Sequence, residues 1–364
     1  MTLTNSTDGS GTTSLLGMSV DELRVLVQAY GAPRFRGDQI ADWLYRRKVE
    51  SIDSMSNIPI PLREILAARH SLGRNPPDSV SVSSDGTKKY LFGLPIGEGR
   101  SAIDRRLVEA AYIPEVSRAT LCLSSQVGCA MGCLFCMTGK QGLQGNLSAA
   151  EIVNQYMSLP ERDSITNIVY MGMGEPLDNP EEVLRSLKLF TDAIGISQKR
   201  ITVSTIGIVP GLRRFISESR CRLAISVHTP FDDERKRLMP MQHVYPIGEV
   251  MEIVRRSDFG KQRRVSLEYI VFQGLNHGSR HAREIARLTE GIRCRINLIR
   301  FHEIPGSPLK TATEAEMVDF ESALRAKGLR TTIRASRGED VQAACGMLST
   351  KRLSQVASEE EIDY

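Results

Sequence analysis

The sequence predicts an α/β protein. Six β/α units build a parallel sheet, curved as a full or partial barrel, behind a small helical domain. Three observations predict it. From about residue 105, strand-like runs alternate with helical runs six times. Several helical runs open on legible capping residues. Upstream, residues 19 to about 75 carry apolar side chains at helical spacing. Sequential β/α units imply parallel strands, and such sheets carry their chemistry at the C-terminal ends of the strands.

In order along the chain, residues 1–18 open with "MTLTNSTDGSGTTS". This polar stretch lacks the charged and hydrophobic regions of a secretory signal and reads as a disordered tail. Residues 19–95 read as the helical domain with a linker strand. "SVDELRVLVQAYG" ends at Gly31, "RGDQIADWLYRR" holds the only tryptophan, Trp43, and "PIPLREILAARHSLG" follows. The linker "GRNPPDSVSVSSDG" leads into "TKKYLFGLPIG", which alternates as a strand does. Residues 96–350 form the barrel. Its strands are expected in "RATLCLSS", "ITNIVYMGMG", "RITVSTIG", "CRLAISVH", "RRVSLEYIVF" and "CRINLIRF", with "TTIRASRG" a candidate for one more. Helices are expected near 148–158, 180–193, 209–217, 246–256, 279–291 and 313–327. Ser148 with Glu151, and Thr313 with Glu316, fit capping boxes; Asn179 before Pro180 fits an N-cap followed by proline. Residues 351–364 are an acidic tail.

The composition, 41% hydrophobic and 25% charged over 364 residues, is that of a soluble globular enzyme. A net charge of +4 permits contact with a polyanion without requiring it. No apolar run is long enough to span a bilayer, so the protein is expected in the cytoplasm, away from membranes. Seven cysteines, three of them crowded together, point to metal binding or catalysis rather than a disulfide framework.

The crowded three, Cys129, Cys133 and Cys136, stand in "CAMGCLFC" just after the first strand of the array. A structural zinc site usually takes its thiols as two pairs, and no second pair is present. Three thiolates on a 4Fe–4S cluster leave one iron free for a non-protein ligand. C-x3-C-x2-C at this place resembles the signature of the radical S-adenosylmethionine (SAM) superfamily, as does the order of elements. That resemblance implies a partial (β/α)6 radical SAM barrel, whose free iron chelates SAM and whose electron cleaves it to a 5′-deoxyadenosyl radical. SAM contacts are then expected at the other strand ends. "MGMGEP" holds Gly172 and Gly174, which let backbone approach a ligand closely, and Glu175, placed to accept from the ligand's ammonium. Ser204 ends the third strand, and Ser226, Val227 and His228 end the fourth. A lone histidine at a strand end is more often structural than catalytic, so His228 is assigned ligand contact only.

"YIPE", "RATLCLSSQVGCAMGCLFCMTGKQG", "MGMGEPLDN", "STIGIVPGL", "ISVHTP" and "ASRGEDVQAACG", with "FRGDQIADWLY" upstream, together resemble the RlmN-type methyltransferases. The resemblance runs from about residue 19 to residue 350. It implies methylation of carbon 2 of adenine in 23S rRNA, at the peptidyl transferase centre, and in tRNA, 3′ to the anticodon. It also implies an RNA-binding role for the helical domain and two molecules of SAM per turnover. The first SAM methylates Cys345. The second supplies the radical that removes a hydrogen from this methyl group, and the carbon radical adds to the electron-poor adenine carbon. Glu109 matches the family's proton acceptor, although by itself it reads as a solvated surface carboxylate. Disulfide formation between Cys122 and Cys345 is implied as the step that releases product. Cys221 and Cys294 read as buried small hydrophobes.

Two positions depart from the family pattern. His302 stands where many members have Asn near the adenosyl group, and it is kept as a contact because imidazole also donates and accepts hydrogen bonds. His277 stands where Asp is common. Basic stretches at 45–48, 261–264 and 330–337 are candidates for holding RNA phosphates, or equally for solvated faces. A low-potential donor such as flavodoxin or ferredoxin is the expected electron source, and a monomer is expected. Three other readings stay open: a related resistance methyltransferase acting on carbon 8 of the same rRNA adenine, a radical SAM enzyme for a small molecule, and a non-catalytic Fe–S or zinc RNA-binding module.

Overall fold

The computed structural model describes residues 12–95, 105–259 and 265–350. Residues 1–11, the acidic stretch 351–364 and the basic stretch 261–264 lie outside the described residues.

The chain opens with β1 (Thr13–Ser14), which pairs in parallel with β2 (His70–Ser71). Between them lie α1 (Val20–Ala29), α2 (Phe35–Ala41) and α3 (Ile60–Arg69). Helix α1 is amphipathic and starts in a full capping box: the Ser19 hydroxyl accepts from the Glu22 N–H, and Glu22 accepts from the Ser19 N–H. Leu15, Leu16 and Met18 are buried in the same core as Leu23, Val27 and Leu44. The expected tail through residue 18 is therefore corrected: packed chain starts several residues earlier, because these apolar side chains close the helical unit.

A sheet of ten strands follows. β3 (Ser79–Val82), β4 (Lys88–Pro95) and β5 (Arg105–Pro114) are antiparallel neighbours, and β5 pairs antiparallel with β6 (Ala119–Leu123). After a small ribbon of β7 (Gln126–Val127) and β8 (Gly145–Asn146), with α4 (Met137–Gln141) between them, the β/α array begins. It runs α5 (Ala149–Met157), β9 (Asn167–Tyr170), α6 (Pro180–Lys188), β10 (Ile201–Thr205), α7 (Val209–Glu218) and β11 (Arg222–Ser226). Then come α8 (Asp232–Leu238), α9 (Ile247–Arg256), β12 (Val265–Val271), α10 (Ser279–Leu288), β13 (Cys294–Arg300), α11 (Glu314–Ala326) and β14 (Thr331–Ile333). Strands 6, 9, 10, 11, 12, 13 and 14 are parallel in that order, and no pairing joins β3 to β14, so the barrel is partial.

All six predicted strands form, and "TTIRASRG" supplies the seventh. Central β12 is buried at every position, as expected where helices and barrel interior cover both faces. The predicted capping boxes at Ser148 and Thr313 are both present. Strands β3 and β5 went unpredicted. β3 lay in the assumed linker, and β5 carries charges among its apolar residues because its neighbours satisfy them.

Candidate active site

Every predicted site residue on the parallel strands lies at or just beyond a strand's C-terminal end. After β6 the chain enters the loop of Cys129, Cys133 and Cys136, and α4 starts directly after Cys136. Backbone bonds tie this loop down, from the Cys129 N–H to the Gly142 carbonyl (3.1 Å) and from the Leu134 N–H to the Leu238 carbonyl (2.9 Å). Gly128 has φ +72°, and a Cβ there would stand 1.7 Å from the Gly142 oxygen. Only glycine lets the loop close on itself.

Burial pushes the Cys129 thiol up to about 12. It pushes Cys133 well above the ordinary thiol value, with Cys136 and Cys129 adding to the shift. Buried thiols such as Cys129 and Cys133 need a bound cation to become thiolates. Among the described residues, no three His, Cys, Asp or Glu side chains converge on one ion. Thiolates sharing a single zinc stand about 3.8 Å apart, given 2.3 Å bonds in a tetrahedron. A cubane cluster takes each thiolate on a different iron, so its ligands stand further apart. Three cysteines in one loop without a second pair suit a 4Fe–4S cluster with one open iron better than a structural zinc.

Glu175 follows β9 and is buried. It accepts from the N–H groups of Leu177 (3.0 Å) and Ile206 (2.9 Å), fastening the β9 loop to the end of β10. Burial raises its pKa to about 7. A Cβ on Gly172 would stand 2.7 Å from the Leu123 oxygen, and one on Gly174 2.5 Å from the Gln126 side chain. Both glycines thus make room for neighbouring protein, a reason the sequence did not reveal. Ser204 lies on β10 and Ser226 ends β11. The Val227 N–H donates to the Glu268 carbonyl at 3.0 Å, and its side chain is buried. His228 sits at φ +59°, accepts from the Ile270 N–H through Nδ1 (3.0 Å) and stands edge-on to Phe135 in the cysteine loop. The imidazole therefore braces the cysteine loop. His302 hydrogen-bonds Ser336 (3.2 Å) in the segment that leads to Cys345.

Glu109, on β5, is not a solvated carboxylate. It is buried, pairs with the Lys89 ammonium at 3.0 Å and accepts from the Ser349 N–H at 2.9 Å. Burial raises its pKa, and Lys89 pulls the other way. Cys122, on β6, packs with Ala111 and with Ala343, two residues before Cys345. Burial pushes the Cys122 thiol up to about 12, with Cys345 contributing next. Cys345 is exposed, and the protein packed around it pushes its thiol upward while Arg334 pulls the other way. Its loop is docked on α4. The Met137 N–H donates to the Gly346 carbonyl (2.8 Å), and the Thr138 hydroxyl donates to that of Leu348 (2.7 Å).

Residues of two of the basic stretches take other roles, and Glu268 escaped the sequence reading. Arg334, just past β14, pairs with buried Glu268 on β12 at 3.4 Å, and its charge acts on both Cys345 and Cys122. It therefore faces inward rather than toward phosphates. Of the stretch at 45–48, Arg46 donates to the Ala193 carbonyl (3.3 Å) and Lys48 pairs with Asp163 (2.5 Å), so both join the helical unit to the barrel.

A model of the radical SAM superfamily matches residues 123–286, and one of the ribosomal RNA large subunit methyltransferase N-terminal domain matches residues 13–72. The chain is 55% identical to a probable dual-specificity RNA methyltransferase RlmN of Porphyromonas gingivalis, over 93% of this chain and 97% of that one. It is 40% identical to the dual-specificity RNA methyltransferase RlmN of Desulfotalea psychrophila, over 92% and 94%. The chain belongs to the RlmN family. A crystal structure of a radical SAM methyltransferase from Sphaerobacter thermophilus superposes with a TM-score of 0.83 at 39% identity, covering 92% of this chain and 98% of that one. RlmN membership implies a 4Fe–4S cluster and SAM, in agreement with the three-thiol donor set. One expectation for an RlmN chain is corrected: all seven cysteines are free, and Cys122 and Cys345 form no disulfide. No helix among the described residues is long and apolar enough to cross a membrane.

Proposed function

We propose that this chain methylates carbon 2 of adenine in 23S rRNA and in tRNA, with Cys345 as the methyl carrier. The observation that carries the reading is the meeting of Cys345, Cys122, Glu109 and the Cys129–Cys133–Cys136 loop at one rim, from four separate parts of the chain. Cys129, Cys133 and Cys136 would hold a 4Fe–4S cluster, which would supply the electron that cleaves SAM to a deoxyadenosyl radical. Glu175, Ser204, Ser226, Val227, His228 and His302 surround SAM from the strand ends, Gly174 shaping the turn before Glu175.

Cys345 takes a methyl group by displacement from one SAM and presents it as the site of hydrogen abstraction by the second. Its exposure suits a group that must meet SAM and then a base. Glu109, held by Lys89 and Ser349, accepts the proton that leaves the adenine carbon. Cys122, beside the carrier, frees Cys345 from the product. The helical unit, residues 13–72, holds RNA beside the mouth of the barrel; β3 and β4, expected with that unit in 19–95, instead extend the sheet of the barrel domain expected at 96–350. The base must leave its stack to enter, so shape and an unstacked adenine set the specificity. A flavodoxin or ferredoxin supplies the electron, and the chain acts as a monomer.

The test is mass spectrometry of the Cys345 peptide from protein purified anaerobically, followed by nucleoside analysis of treated RNA. A methyl group on Cys345 and 2-methyladenosine in RNA are expected. A modified carrier with 8-methyladenosine moves the target to carbon 8. An unmodified Cys345, before and after incubation with SAM, overturns the reading.

A further inference from the structure

Arg235, in α8, is 1% exposed and is the largest fully buried side chain among the described residues. Its guanidinium is held by neutral oxygens. Nε donates to the Val227 carbonyl (3.3 Å), Nη2 to the carbonyls of Ile206 (2.9 Å) and Ser226 (3.0 Å), and Nη1 to Gln242 Oε1 (2.5 Å). Gln242 in turn donates to Asp232 at 2.6 Å, which leaves that carboxylate one amide away from the cation. Burying a cation against neutral acceptors costs free energy, because dipoles replace only part of its hydration. Burial brings the pKa of Arg235 down to about 10, so it stays charged at neutral pH, and Cys133 acts on it next. Burial, then Arg235, brings His228 down to about 3, so that imidazole adds no charge of its own.

Geometry sets this cation beside the cysteine loop: the Leu134 N–H donates to the Leu238 carbonyl of α8 at 2.9 Å, and Phe135 stands against His228, next to the Val227 carbonyl that Arg235 holds. An anion there offsets the buried charge, to which Cys133 and then Asp232 contribute. A 4Fe–4S centre on three thiolates becomes more negative by one unit when it takes an electron. A fixed positive charge in a low-dielectric surrounding favours the more negative form, and cluster potentials respond to local charge and burial. We propose that Arg235 is the counter-charge of the iron–sulfur centre: its guanidinium favours the reduced cluster while its fork fixes the ends of β10 and β11. Arg235 is a positioning residue, acting on the electron step through the field at Cys133. The inference rests on the cluster being held by Cys129, Cys133 and Cys136.

The experiment uses the full chain, reconstituted anaerobically with iron and sulfide and titrated with dithionite under electron paramagnetic resonance. Iron content reports the cluster, and the ratio of reduced to oxidised cluster at fixed potential reports Arg235. Arg235→Gln is expected to lower that ratio about tenfold, which for one electron is about 59 mV. Arg235→Lys is expected to restore most of it. Gln242→Glu leaves Arg235 in place but sets a carboxylate against it, and is expected to lower the ratio in the same direction. An unchanged ratio in Arg235→Gln at full iron content overturns the proposal. If that variant fails to fold or to take up iron, an unchanged ratio in Gln242→Glu overturns it instead. A wild-type chain that takes up no iron refutes the cluster assignment itself.

Discussion

At the scale of the residue, burial decides what each ionisable group can do. Burial holds Glu109 above the usual carboxylate range, while Lys89 opposes the shift. A base works only when ionised, so methyl transfer is lost as pH falls through the folded pKa of Glu109. Lys89→Met should move this acid limb of the pH–rate profile to higher pH, and Lys89→Arg should leave it in place. Glu109→Gln should cost about 10²-fold or more in rate at every pH. Cys122→Ala should stall after the carrier has joined RNA, so a denaturing gel should show protein attached to RNA. Normal turnover by that variant would remove Cys122 from the mechanism. Glu175 tests linkage in the cluster-free chain. Its folded pKa of about 7 exceeds the reference value of 4.5. The folded state therefore holds the proton more tightly, and stability is lost as pH rises from 4.5 through 7. Glu175→Gln should remove a pH-dependent part on the order of 3 kcal/mol. Urea unfolding of both proteins at pH values either side of that window, about 4 and 8 by the reference and shifted pKa values, checks it.

At the scale of the element, the loop between β6 and α5 does two jobs. It gathers three thiols, and its short helix α4 seats the Cys345 loop. Gly128→Ala places a Cβ against the Gly142 oxygen at a positive φ, so cluster loading should fall to a small fraction. Gly142 has φ +77° with nothing within 4 Å of its would-be Cβ. Gly142→Ala meets no neighbour but is strained at φ +77° and ψ 169°, so it should cost about 1–3 kcal/mol and keep its iron. Iron and sulfide content, read beside the melting temperature, separates the two. Thr138→Val removes the hydroxyl that holds the Leu348 carbonyl. Hydrogen exchange in residues 345–350 should then quicken, corresponding to about 1 kcal/mol.

At the scale of the whole molecule, the helical unit and the barrel share one core and several charged ties. Arg185 on α6 pairs with Glu22 at 2.8 Å and donates to the Gly17 carbonyl at 3.0 Å. Next to it, a Cβ on Gly17 would stand 2.6 Å from the Ala150 side chain. The two units are thus held in one orientation. Arg185→Ala should lower stability by about 1–3 kcal/mol, because the buried Gly17 carbonyl loses its partners. Limited proteolysis should then cut between the units sooner.

Much of this was legible in the sequence because it depends on neighbours in the chain. Alternation of period two marked the parallel strands, and capping residues marked the helices. The three cysteines of "CAMGCLFC" fall within one loop, and their spacing, with the family resemblance, carried the expectation of a cluster. Other features depend on contacts between distant segments. Glu109 reads as a surface carboxylate in "RRLVEAAYIPE" and becomes a buried base only when Lys89 and Ser349 close over it. Arg334 belongs to a basic stretch that reads equally as a phosphate contact or a solvated face, and it turns inward to Glu268. Arg235 reads as one charge of "DDERKRL" and proves to be a buried cation beside the cluster loop. The sequence by itself determined the elements, the metal-binding loop and the family. Tertiary structure alone decided which charges leave water, because burial and long-range electrostatics belong to the assembled fold and to no local pattern.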